Sequence, residues 1–128
     1  MLESLRFVPL LGRILIALLF VPFGFEKITG FQDTVGYAAA MGMPVASLAI
    51  VAAIVIEIGC GLMILFGYRT RAAAALLALF CVVTALVFHH SFADMGERIN
   101  FLKNLAIAGG LLQLVYFGAG PISLDNRK

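Results

Sequence analysis

Residues 50–66 read IVAAIVIEIGCGLMILF, and Glu57 is the one charged residue among sixteen uncharged, mostly apolar neighbours. A mostly apolar run of this length suits a membrane-spanning helix, which needs about 17–25 residues. A carboxylate in such a run is costly unless it is paired, protonated or wetted. Which groups meet Glu57 is therefore the question that organises the chain.

The rest of the sequence has the same character. Of 128 residues, 62% are hydrophobic and 12% charged, against roughly half and about a quarter in a soluble domain. Mean hydropathy is +1.07. This composition predicts an integral membrane protein of one domain over residues 1–128, with the lipid bilayer as its first partner. Four segments qualify as spans: Phe7–Phe25, Val45–Phe66, Ala72–Phe88 and Ile99–Gly118. Helices are expected because backbone groups in lipid must be satisfied within the segment, so the fold class is all-α. Alternating runs of about ten residues, the mark of a β-barrel, do not occur.

Arg13 interrupts the first apolar run and no small-residue cleavage site follows it, so this segment reads as a mature helix rather than a signal peptide. Pro22 predicts a kink near its far end. In the following loop, Phe31, Val35, Ala38 and Ala39 have helical spacing, which suits a short interfacial helix. Cys60 and Cys81 lie in apolar runs without a C-x-x-C pattern and read as small buried hydrophobes. The chain has no Walker loop, G-x-G-x-x-G, zinc-ligand spacing or nucleic-acid module, so no cofactor is encoded, no metal site is expected and nucleic acid is not a predicted partner.

Basic residues set the expected orientation. Arg6, Arg13, Arg69, Arg71, Arg127 and Lys128 fall on the side of the termini, against Lys27, Arg98 and Lys103 on the other. Six against three places both termini in the cytoplasm. Lys27 then ends span one at the outer face, His89 and His90 end span three there, and Lys103 and Asn104 lie one turn into span four. Glu57 lies roughly 18 Å into span two at 1.5 Å per residue. These groups outline a polar funnel that opens outward with Glu57 at its floor. Of the two histidines, His90 is the one expected to face inward.

Each residue also has a plainer reading. Lys27 and Arg13 could snorkel to headgroups, the histidines could be interfacial, and the phenylalanines could face lipid. Glu57 and Lys103 could form a structural pair locking two helices.

The stretches FGFEKITGF, VIEIGCGLMILFGYRTR, VFHHSFAD, FLKNLAIAGG and the closing ISLD together resemble the DoxX family, especially its small YqjF-type inner-membrane proteins of Gram-negative bacteria. The more specific parts are Gly24–Lys27, Glu57–Gly61 and Ser123–Asp125. The resemblance covers nearly the whole chain. It implies a four-helix membrane bundle in the bacterial inner membrane. It also implies an association with thiosulfate or quinol oxidation complexes, or with resistance to quinones, catechols and oxidative stress. It raises Lys27, Glu57, His90 and Asn104 as site residues. Glu26 departs from the pattern by offering Lys27 a second carboxylate next to it.

The function expected on these grounds is a redox-associated subunit or small oxidoreductase that handles a lipophilic quinone-like compound. Phe20, Phe23 and Phe88 would supply an apolar slot. Lys103, Asn104 and His90 would hydrogen-bond a carbonyl, and Glu57 would relay a proton. A bound quinone is the expected small molecule. Electrons would come from a partner protein or a second substrate, and a homo-oligomer is a further expected assembly. Two alternatives stay open: a small proton-coupled exporter built on Glu57, and a structural or interaction subunit with no activity. Whether the protein is an enzyme is not decided at this level.

Overall fold

The computed structural model describes residues 2–89 and 93–126. After a short 3-10 turn at Leu2–Leu5, five helices follow: α1 (Val8–Thr29), α2 (Phe31–Ala40), α3 (Ala46–Phe66), α4 (Thr70–Phe88) and α5 (Met95–Phe117). All but α2 are long and apolar enough to cross a membrane. No strand occurs among the described residues. The molecule is a four-helix membrane bundle with α2 as an added short helix at one end, as the spacing in the loop after span one predicts.

Two boundaries differ from the sequence expectation by four residues each. Helix α1 runs through Pro22 to Thr29, so Glu26 and Lys27 are helical rather than in a loop. Helix α5 begins at Met95 rather than Ile99, because the Asp94 side chain accepts a hydrogen bond from the Glu97 N–H at 3.2 Å and caps it.

The helices pack in the order α1–α3–α4–α5, and α2 rests on α3 and α1. No comparably close pairing joins α1 to α5 among the described residues. The facing stripes follow the seven-residue period of a left-handed bundle. On α1 the buried stripe is Arg13, Ala17, Phe20 and Gly24, and Lys27 continues it. On α3 it is Ile50, Ala53, Glu57, Cys60 and Ile64. Small residues dominate these seams because lipid offers no hydrophobic drive, so helices associate through close packing. A Cβ on Gly24 would run into the Ile58 side chain, and one on Gly61 would come 2.8 Å from Val21 Cγ2. Large apolar side chains such as Leu15, Leu18, Leu48, Val55, Leu79 and Leu86 point outward, as lipid-facing residues should.

At the end away from α2, Arg13 is buried, only 1% exposed. Its guanidinium donates to the Ile64 and Leu65 carbonyls at 3.1 Å each and to the Ile122 carbonyl. This overturns the expectation that Arg13 snorkels to headgroups. The last carbonyls of α3 lack partners within the helix, and a rigid five-donor fork beside them satisfies several at once. Gly67 ends α3 in the left-handed region, φ 71°, and a side chain there would strike Ser123 and Arg13.

The chain segment after α5 completes this end. The N–H groups of Leu124 and Asp125 donate to the carbonyls of Phe66 and Gly67 at 3.1 and 2.7 Å. The Asp125 carboxylate accepts from the N–H groups of Arg69 and Thr70 at 2.6 and 2.8 Å. It thus caps α4, whose own N-cap residue Arg69 has no capping side chain and sits at φ 46°. Burial pushes the Asp125 carboxyl up, but the N–H bonds from Thr70 and Arg69 and the Arg13 charge outweigh it and hold the group below the usual range.

Candidate functional site

At the α2 end the four long helices diverge around a cavity of about 730 Å3. Every described residue that the sequence nominates lines it: Phe20, Phe23, Lys27, Glu57, Phe88, Lys103 and Asn104. His90 lies outside the described residues, while its neighbour His89 is in the lining. Residues from all four spans thus converge on one space.

The floor is built by the α1–α3 seam. Glu57 is 3% exposed and takes its place in the α3 stripe between Ala53 and Cys60. The close approach at Gly24 brings α1 onto α3, and one turn further on Lys27 reaches across. Its Nζ lies 2.8 Å from Glu57 Oε1, with the lysine side chain 27% exposed. Two sequence expectations change here. Glu57 pairs with Lys27 rather than Lys103, and Glu26 is exposed and does not compete. Lys103 is exposed, so the expected order of depth is reversed: Lys27 is the lysine at the floor. The reason is geometric. Helix α1 continues past residue 25, which keeps Lys27 on the packed stripe, whereas Lys103, although in the cavity lining, is exposed on α5.

Glu57 Oε2 has no hydrogen-bond partner among the described residues, although it is buried. A buried carboxylate oxygen of this kind demands a donor. The cavity beside it is apolar and aromatic on α1 and α4, through Phe20, Phe23, Phe80 and Phe88, and amide-bearing on α5 through Asn100 and Asn104. Asn104 Nδ2 lies 3.4 Å from Thr84 Oγ1, which itself donates to the Cys81 carbonyl at 3.1 Å. Both are long contacts and leave the Asn104 carbonyl oxygen available.

Helix α2 supplies residues that the sequence reading missed, among them Thr34 and Tyr37. The Tyr37 ring stacks on Phe88, with centroids 5.8 Å apart and planes at 21°. This contact brings the short helix to the end of α4 at the cavity. His89 Nδ1 lies 3.4 Å from Glu97 Oε2, which links the end of α4 to the first turn of α5. An amphipathic pattern in the loop signals α2, but only the fold shows that its tyrosine faces an aromatic residue 51 positions away.

Among the described residues no cluster of three or more His, Cys, Asp or Glu could hold a metal ion. Cys60 and Cys81 are both buried and unpaired, as the sequence predicts.

Comparison with known proteins gives a consistent picture. The sequence model of the DoxX family matches residues 8–90, which covers α1 to α4. Inner membrane protein YqjF of Escherichia coli is 45% identical over 93% of this chain and 92% of its own length. Inner membrane protein YphA of the same organism is 41% identical over 92% of this chain and 88% of its own. The ER-derived vesicles protein ERV29 of Saccharomyces cerevisiae is 30% identical over 91% of this chain but only 32% of its own length. No solved structure matches the chain.

Proposed function

The chain belongs to the DoxX family and is a multi-pass bacterial inner-membrane protein, and on that footing we propose that it binds a flat, lipophilic quinone or phenol in the cavity floored by Glu57. The observation that carries this reading is a buried Glu57, one of whose carboxylate oxygens has no partner among the described residues, in the lining of a roughly 730 Å3 aromatic cavity. Ligand sites of this kind are mostly apolar, about 300–1,000 Å3 in volume, with a few convergent polar groups. Phe20, Phe23 and Phe88 would hold the ring, while Lys27, Asn104 and Lys103 would meet its oxygens. Lys27 and Glu57 form a pair through which a proton could pass to or from a bound oxygen.

The residues supply no electron carrier, so a redox role would draw electrons from a partner protein or a second bound substrate. The weak pairing between α1 and α5 suits lateral entry from the bilayer. The excess of arginine at the Arg13 end suits a cytoplasmic placement of that end, with the cavity facing the periplasm.

The test is titration of the purified protein with short-chain ubiquinone and menaquinone analogues. Saturable binding that is lost in Ala53→Phe, where a ring would fill the cavity, is the expected result. Binding no tighter than to an unrelated four-helix membrane protein would discard the reading.

A further inference from the structure

We propose that the arginine-rich end of the bundle holds an anionic phospholipid, with the phosphodiester of its headgroup between Arg71 and Arg69. This site lies at the opposite end from the Glu57 cavity and does not depend on what that cavity binds.

A second cavity, of about 470 Å3, lies where the α3–α4 turn meets the segment after α5. Arg69 and Arg71 both line it, together with Phe117 and Gly118. Arg71 is the second residue of α4, and α4 packs closely on α5. Its guanidinium comes to rest beside the end of α5: a Cβ built on Gly118 would sit 3.2 Å from Arg71 Nε and from Nη2. Gly118 ends α5 at φ 80°, where a side chain would be strained as well as crowded. The missing side chain thus leaves the space that the arginine occupies. No described residue bonds to the Arg71 guanidinium. Arg69 directs its Nε to the Tyr68 hydroxyl at 3.2 Å, which leaves its terminal N–H groups to donate elsewhere.

Asp125 borders the same cavity but does not cancel this charge. Its two oxygens accept from the Arg69 and Thr70 N–H groups, so the carboxylate is engaged by the N-terminus of α4. Two guanidinium groups against one engaged carboxylate leave the cavity positive. An arginine beside the last turn of α5 also offsets the dipole of that helix. That role alone needs neither a second guanidinium nor a cavity.

The rim identifies the source of the anion. Tyr68, Tyr116 and Phe117 are all exposed at this end. Aromatic residues at the ends of spans settle at headgroup depth. The cavity therefore opens at the level of the bilayer phosphates, and exposed Phe117 extends its lining toward the acyl chains. Guanidinium forks match phosphate oxygens two at a time, and basic pockets between membrane helices take anionic headgroups. A zwitterionic headgroup would bring its own ammonium against the same two arginines. The preferred lipid is thus one whose headgroup carries a phosphodiester and no ammonium, such as a phosphatidylglycerol.

The experiment follows thermal unfolding of the full-length protein in dodecyl maltoside micelles. Three additives are titrated: palmitoyl-oleoyl phosphatidylglycerol, the matching phosphatidylcholine, and inorganic phosphate. Phosphatidylglycerol should raise the midpoint saturably, and the other two should not. Arg71→Gln should raise the half-saturating mole fraction at least about tenfold, through loss of a charge-assisted contact. Arg71→Lys should recover only part of that loss. Arg69→Asn is a second variant, chosen because asparagine accepts the left-handed backbone at φ 46°. The turn should fold in it while the response to phosphatidylglycerol weakens. Arg6→Gln removes a positive charge at the same end but outside this cavity, and should shift half-saturation by less than about twofold. Equal weakening by Arg6→Gln and Arg71→Gln would reduce the effect to diffuse surface charge and overturn the site. An equal response to phosphatidylcholine would overturn the selection of an anionic lipid. If inorganic phosphate raises the midpoint as much as phosphatidylglycerol, the cavity holds free phosphate and the lipid assignment fails.

Discussion

Gly24 faces Glu57 across the α1–α3 seam with no room for a side chain: a Cβ built on Gly24 would sit 3.4 Å from Glu57 Cβ and would strike Ile58. The floor of the cavity thus depends on a missing side chain. One turn beyond Gly24, this proximity lets Lys27 reach Glu57.

Substituting Gly24 or Gly61 by leucine should push α1 off α3 and cost about 1–3 kcal/mol through overpacking. Gly59→Ala is the matched control, because a Cβ there meets nothing within 4 Å. It should be neutral or stabilising by up to about 1 kcal/mol, as alanine is the better helix former. Thermal unfolding in one detergent compares the three. Equal losses for Gly24→Leu and Gly59→Ala would show that the seam is not close-packed.

Lys27→Met should strand Glu57 without its counter-ion and cost up to about 3 kcal/mol. This is below the loss for a fully buried pair because Lys27 keeps part of its water. The double variant Lys27→Met/Glu57→Leu should recover most of that loss, since a well-packed apolar replacement of both partners is often neutral. A cycle in which the two single losses simply add would mean that the ion pair contributes no coupling.

Arg13→Met should be among the most harmful substitutions outside the cavity. It removes donors from the carbonyls of Ile64, Leu65 and Ile122 together, with an expected loss of about 3 kcal/mol at roughly 1 kcal/mol per hydrogen bond. Arg13→Lys should rescue only part of it, because an ammonium lacks the planar fork. Full stability of Arg13→Met in detergent melts, with ligand binding unaltered, would return Arg13 to a headgroup role.

Asp125 caps α4 from a distant part of the chain, and Asp125→Ala should cost about 1 kcal/mol, the usual effect of losing a cap. Its carboxyl titrates below the usual range in the folded protein. The sign follows from linkage. The stabilisation is complete above the unfolded value of about 3.9 and is lost as pH falls through the lower folded value. A spin label at Leu124→Cys should stay restrained at pH 7 and gain mobility only well below pH 4. Mobility that already rises between pH 7 and 5 would contradict the hydrogen-bonded cap.

Both termini should be cytoplasmic. Reporter fusions at Lys128 and near Asp94 should be active in opposite compartments, with periplasmic activity at Asp94. Periplasmic activity of the Lys128 fusion would reverse the bundle and place the cavity on the cytoplasmic side.

Much of this architecture was legible in the sequence, because membrane helices announce themselves by length and composition. The four spans emerge from apolar runs alone, and Glu57 is conspicuous in its run. Which end of each helix carries the site was legible too, and Phe20, Phe23, Lys27, Glu57, Phe88, Lys103 and Asn104 line one cavity, although the relative depth of the two lysines was not. Nor was rotation about the helix axis. Choosing between Lys27 and Lys103 as the partner of Glu57 depends on which face of α1 and α5 is packed. That is set by Gly24 against Ile58, a contact 34 positions apart. Arg13 was misread for a related reason. Its fate depends on backbone carbonyls at the end of a different helix, and carbonyls leave no trace in a sequence. Ser-Leu-Asp at 123–125 was visible as a motif, but its capping role appears only once α3, α4 and the tail are brought together.

The Asp125 cap also has a consequence in time. The Thr70 N–H donates to a carboxylate 55 positions later, and the Ile64 and Leu65 carbonyls share Arg13 with Ile122. A ribosome working at about 5–20 residues per second delivers that carboxylate several seconds after the α3–α4 turn has emerged. Throughout that interval the turn carries bare N–H groups and a left-handed Arg69 with nothing to hold them. The hairpin therefore stays incompletely fastened until the segment after α5 docks. In the growing polypeptide a segment made after α5 closes a joint made before α4.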